Sequence, residues 1–95
     1  MNSYRLFRAP ALAIFPRGEK PDDQGRLAAI EINKLLAPIG KQKNVTFMDI
    51  GAKFLEPDGT ISRSTMGDFL HPTDKGYQIW ADAVEPWMKA NVKSK

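Results

Sequence analysis

The chain contains no cysteine, which excludes a disulfide framework, thiol catalysis and cysteine-based zinc sites. It has a single histidine, His71, and its acidic residues are scattered. Nothing is therefore spaced to ligate a metal, and neither a metal nor an organic cofactor is expected. No apolar run approaches the ~18 residues of a membrane span. The first sixteen residues place Arg5 and Arg8 ahead of an apolar stretch, in the manner of a weak signal peptide. Pro16-Arg17-Gly18-Glu19 stands where a small-residue cleavage site is needed, so that reading is rejected, and no compartment is assigned. Repeats and low-complexity tracts are also missing.

The net charge is +3, and much of the excess lies in Lys89, Lys93 and Lys95. Lysines there complement the negative end of a last helix. No basic stripe with interleaved aromatics occurs, so nucleic acid is not an expected partner. An apolar fraction of 42% with 26% charged residues is that of a soluble globular unit rather than a disordered one. Ninety-five residues suffice for one small domain, marginal unless its layers close.

Ala11-Leu12-Ala13-Ile14-Phe15 is an apolar run without alternation, closed by Pro16 and Gly18. It reads as a strand buried on both faces, as in a parallel sheet. Pro21-Asp22-Asp23 opens a helix that either aspartate can cap. Ala28, Ile32, Leu35, Leu36 and Ile39 recur on one face at helical spacing, and Pro38 and Gly40 end the helix. Residues 45–50, rich in β-formers, are a second strand. Strand, helix, strand in this span makes a βαβ unit with parallel strands. Residues 51–72 form a long irregular stretch, which in a compact domain is usually functional or disordered. A last helix starts at Thr73 and buries Tyr77, Trp80, Ala81, Val84 and Met88, with Pro86 expected to kink or restart it. Two strands with an open edge and uncovered apolar faces read as part of a larger α/β domain.

Asp68 precedes His71 by three residues. In a turn, that spacing lets the carboxylate reach the imidazole, fix its tautomer and stabilise the imidazolium formed when Nε2 takes a proton. An Asp-x-x-His by itself is weak, since such a histidine more often caps a helix or bonds the backbone. The motifs around it are more specific: Pro16-Arg17-Gly18 after the first strand, Asn33 in the helix, and Met48-Asp49 at the end of the second strand. Asp58-Gly59-Thr60-Ile61-Ser62, Met66, Asp68-Phe69-Leu70-His71 and Gly76-Tyr77 follow in order. From about Leu12 to Met88 this series resembles the C-terminal part of the SGNH/GDSL-type serine esterases. Within them it is nearest to the branch of the intracellular platelet-activating-factor acetylhydrolase catalytic subunits and the bacterial GDSL-like acylhydrolases.

The resemblance implies the C-terminal portion of a flavodoxin-like three-layer α/β/α sandwich, with residues 1–95 as a single partial domain. It makes His71 the general base of a Ser-His-Asp triad and Asp68 its orienting carboxylate. It implies small acyl esters, acetyl esters foremost, as substrates. Arg17 and Gly18, just past the end of a strand, fall on the rim of the site; for Arg17 a structural ion pair is the alternative. The family's Gly-Asp-Ser block and its glycine and asparagine oxyanion donors have no counterpart here. Ser3, Ser62, Ser64 and Ser94 are the serines present, and none has a strained turn with neighbouring glycines. The chain is therefore expected to be inactive alone. Its partners would be an N-terminal half carrying the nucleophile or, in a non-catalytic alternative, another chain paired along the open sheet edge.

Overall fold

The computed structural model describes residues 8–91. They form strand β1 (Ala9–Leu12), helix α1 (Gln24–Leu36), a 3-10 turn (Ala37–Lys41) and strand β2 (Val45–Met48). A second 3-10 turn (Gly51–Phe54) and helix α2 (Asp74–Asn91) follow. The strands pair in parallel, from Ala9 opposite Val45 to Leu12 opposite Met48. A parallel pair needs a long crossover, and α1 with its 3-10 extension supplies it.

β1 starts and ends earlier than the apolar run 11–15 suggests, and Asn33 of α1 accounts for the early end. Its amide donates to the Ile14 carbonyl (2.9 Å) and accepts from the Ile14 N–H (2.7 Å). A side-chain amide thus takes the place of a strand partner just after the last ladder bond, from the Ala13 N–H to the Met48 carbonyl (2.8 Å). The Ala9 and Ala13 N–H groups both point to β2. The position of Pro10, which has no N–H, therefore faces the free edge, where proline is tolerated.

Asp23 holds the N-cap position of α1 but makes no side-chain cap; its carboxylate accepts from the Lys20 N–H instead (3.2 Å). The buried face of α1 is not the expected one. Arg26 and Ala29 face inward, whereas Ala28, Ile32, Leu35, Leu36 and Ile39 are exposed, Leu35 by 81%. The inward side chains of Arg26 and Asn33 bond loop backbone, at Arg17, Gly18 and Gly59 and at Ile14, and the described residues contain nothing that covers the apolar stripe.

The α2 stripe is also rotated from the expected one. Ile79, Trp80, Ala83 and Val84 pack on the core, while Tyr77, Ala81 and Met88 are exposed. Gly76 sets that rotation: a Cβ there would collide with the Thr65 carbonyl oxygen and approach Pro72 Cβ to 2.9 Å, so only glycine lets the helix come so close. α2 runs through Pro86 to Asn91 as one helix, without the expected restart.

The core sits in the irregular segment. Phe54, Ile61, Thr65 and Met66 are the most deeply buried side chains, each apolar one contributing about 1.5–3 kcal/mol. Phe15 links the layers, with its ring 4.7 Å from Phe54 and edge-on to Trp80 at 5.0 Å. The radius of gyration is 15.2 Å against about 12 Å for a closed domain of this length, so the layers are not wrapped into a compact whole. Among the described residues no helix is long and apolar enough to cross a membrane.

Candidate active site

The Asp68–His71 segment is a tight turn anchored at both ends. Before it, the Phe69 N–H donates to Met66 (3.0 Å), and Met66 and Pro72 form an antiparallel bridge. After it, the Thr73 N–H bonds the Thr65 carbonyl (2.9 Å). The Thr73 hydroxyl donates to the Ser64 carbonyl (2.5 Å) and accepts from the Gly76 N–H (3.2 Å), capping α2. Phe69 adopts a left-handed backbone, φ +59°, uncommon for a bulky residue. Its ring lies under the Arg63 guanidinium, 4.7 Å away.

This turn brings the two expected residues together. Asp68 Oδ1 accepts from the His71 N–H (2.7 Å) and the Leu70 N–H (3.0 Å), and Oδ2 lies 2.7 Å from His71 Nδ1. An ionised carboxylate can only accept, so Nδ1 carries the proton and Nε2 keeps its lone pair. The His71 backbone N–H first, then its ring and the Leu70 N–H, hold the Asp68 carboxyl well below the usual carboxylate range. Both side chains are open to solvent, His71 by 75% and Asp68 by 57%. Among the described residues nothing hydrogen-bonds Nε2. The pair is a base fixed in one tautomer, able to accept a proton at Nε2.

Gly18 meets this turn directly: its N–H donates to the Phe69 carbonyl (2.9 Å). Its φ of +83° suits glycine, and a Cβ would lie 2.5 Å from Asp23 Oδ2. The Arg17 guanidinium folds back on the Phe15 carbonyl (3.4 Å) and forms no ion pair among the described residues. Ser62 and Ser64 turn their hydroxyls to each other (2.8 Å), not to His71. Ser3 and Ser94, like Lys93 and Lys95, lie outside the described residues. Lys89 pairs with Glu85 (3.6 Å). Among the described residues no group of three His, Cys, Asp or Glu side chains is gathered to hold a metal.

The sequence reading missed Arg26. It is 4% exposed, and its guanidinium donates to the carbonyls of Gly59 (2.8 Å), Gly18 (2.9 Å) and Arg17 (3.0 Å). Burial lowers its pKa, offset in part by Asp23. The signal was available: Arg26, Ala29 and Asn33 share one helix face at spacings of three and four, small or polar where an apolar face was sought. A cavity of about 310 Å³ lies beside it, between α1 and residues 49–59, lined by Ile14, Ile30, Ala52 and Leu55 among others. Neither Asp68 nor His71 lines it.

Two parallel strands joined through a helix define an α/β protein, and it carries a carboxylate-bonded histidine ahead of its last helix. The model of the GDSL-like lipase/acylhydrolase family matches residues 2–84, and the chain belongs to that family. It is similar to platelet-activating factor acetylhydrolase IB subunit alpha2 of Gallus gallus, 45% identical over 67 residues, and of Homo sapiens, 42% identical over the same length. Each match covers 70% of this chain and 29% of the relative. Subunit alpha1 of Homo sapiens is 34% identical over 71 residues, 74% of this chain and 30% of that protein. The chain thus spans under a third of the length of the curated relatives it matches.

Proposed function

We propose that this chain supplies the general base, His71, and its orienting carboxylate, Asp68, to a serine esterase acting on small acyl esters, acetyl esters foremost. The observation that carries this reading is the 2.7 Å contact between His71 Nδ1 and Asp68 Oδ2, which leaves Nε2 as the acceptor. A serine hydroxyl brought to Nε2 would give up its proton as its oxygen attacks the ester carbonyl. The imidazolium, stabilised by Asp68, would return that proton to the departing alcohol. Water activated at the same Nε2 would then hydrolyse the acyl-serine.

The serine and its oxyanion donors belong to an N-terminal half. Residues 1–95 would be one partial domain, the last part of a flavodoxin-like α/β/α sandwich, with Arg17 and Gly18 on the rim of the site. Without that half the covalent step is missing, along with ~2.7–4 kcal/mol of transition-state stabilisation per oxyanion donor. The isolated chain should therefore hydrolyse p-nitrophenyl acetate no faster than buffer. Co-expressed with a Gly-Asp-Ser-bearing N-terminal half, it should form an esterase that His71→Ala abolishes. Activity of the chain alone, or complemented activity indifferent to His71→Ala, would overturn the reading.

The exposed stripe of α1, Leu35 above all, favours a second reading: a non-catalytic module that associates with another chain. Pro10 removes a donor from the free edge of β1, which makes plain edge-to-edge pairing there the weaker form of that alternative.

A further inference from the structure

We infer that Arg26 is a positioning residue for the Asp68–His71 pair, acting through the backbones of Gly18 and Phe69. The inference rests on the reading of His71 as a base and extends it inward from the turn.

Arg26 lies on the buried face of α1 and ties two loops together, gripping the carbonyls of Arg17 and Gly18 on one side and of Gly59 on the other. The Ile61 N–H adds a bond to the Glu19 carbonyl (2.9 Å) across the same gap. The Gly18 residue is thereby held from both ends. Its carbonyl is fixed by Arg26, and its N–H is aimed at Phe69 O (2.9 Å). Phe69 is the left-handed residue between Asp68 and His71. That backbone turn allows one carboxylate to reach the His71 N–H and ring together. The positions of the bond partners thus run without a gap from the guanidinium to the imidazole.

The choice of side chain fits this task. No carboxylate bonds the Arg26 guanidinium among the described residues; its partners are carbonyl dipoles. A buried charge seldom adds net stability over an apolar side chain of similar size. A planar fork of five donors can, however, meet carbonyls spread over two loops, which the compact ammonium of lysine cannot.

The test reads the histidine itself. His71 is the only histidine in the chain, so its ring nitrogens are unambiguous in a ¹⁵N NMR spectrum. With the ring neutral, the wild type should populate the Nδ1–H tautomer. Arg26→Lys, Arg26→Met and a synthetic chain with glycolic acid replacing Gly18, which deletes that N–H and weakens as an acceptor the Arg17 carbonyl that Arg26 grips, are compared with it. The dispersed indole signals of Trp80 and Trp87 report whether each is folded. In every folded variant the Nδ1–H to Nε2–H ratio should fall, by roughly fivefold for a shift worth one neutral hydrogen bond. An unchanged ratio in the Gly18 ester, or in a folded Arg26 variant, would overturn the inference; should Arg26→Met fail to fold, the ester decides. The role of His71 in catalysis is judged separately, by His71→Ala in the complemented esterase.

Discussion

The regular and irregular halves of this molecule differ in the opposite sense to ordinary expectation. The βα unit of residues 9–48 has both strands and a well-formed helix, yet the large apolar side chains of that helix face outward; Leu27, Ile30, Ile32 and Leu35 are all more than 40% exposed. Residues 49–73 have only a 3-10 turn and loops, yet they contribute Ile50, Phe54, Ile61 and Met66, the buried cluster on which α2 packs. Secondary structure in the first half satisfies the backbone but leaves its hydrophobic demand unmet. In the second half, packing and side-chain bonds do the ordering. The Asp68–His71 turn belongs to the second half, which explains how an exposed dyad can keep a defined geometry.

The comparison can be broken most directly in the core. Phe54→Ala should cost about 3–5 kcal/mol in urea unfolding and remove the cooperative transition of so small a domain. Retention of most of the stability would mean that the irregular half is not the organising one. Gly76→Ala should come next. Alanine favours a helix by ~1 kcal/mol, but a Cβ pressed on the Thr65 carbonyl should reverse the sign and destabilise by roughly 1–3 kcal/mol.

A smaller effect follows from Asp68. Its pKa is lowered by folding from the ordinary 3.8, so its contribution is present above that value and lost as pH falls below it, through the depressed value. Because the group is exposed, wild type and Asp68→Asn should differ in thermal stability at neutral pH only modestly, and the difference should vanish in strong acid. A gap that widens on acidification would contradict the bond pattern. The smallest effect belongs to the other half: Leu35→Ala should change the stability of the isolated chain by no more than about 0.5 kcal/mol, measured in the same urea titration. A large loss would show that the stripe is covered.

The sequence carried the element order and the parallel pairing, because unbroken apolar runs and cap residues are local signals. It carried the Asp68–His71 pair through spacing and the ordered motifs around it. The helix faces were not legible. Periodicity shows where apolar residues lie, but not whether this chain supplies what covers them. In α1 the side turned inward is Arg26, Ala29 and Asn33, chosen for size and hydrogen bonds. In α2 a single close approach at Gly76 decides the rotation. The core of residues 51–72 has no period to detect. Nor does anything in the local sequence announce that Phe69, a non-glycine residue, turns left-handed to close the dyad.

The central claim is that His71 serves a serine carried on another segment. A fluorophosphonate probe labels a serine only when a neighbouring base activates it, so labelling reads that service without a turnover assay. An N-terminal half bearing Gly-Asp-Ser should be labelled rapidly when this chain is present. It should be labelled slowly in its absence, and at least about 10²-fold more slowly with the His71→Ala chain. Equal labelling with the wild-type and His71→Ala chains would contradict the account.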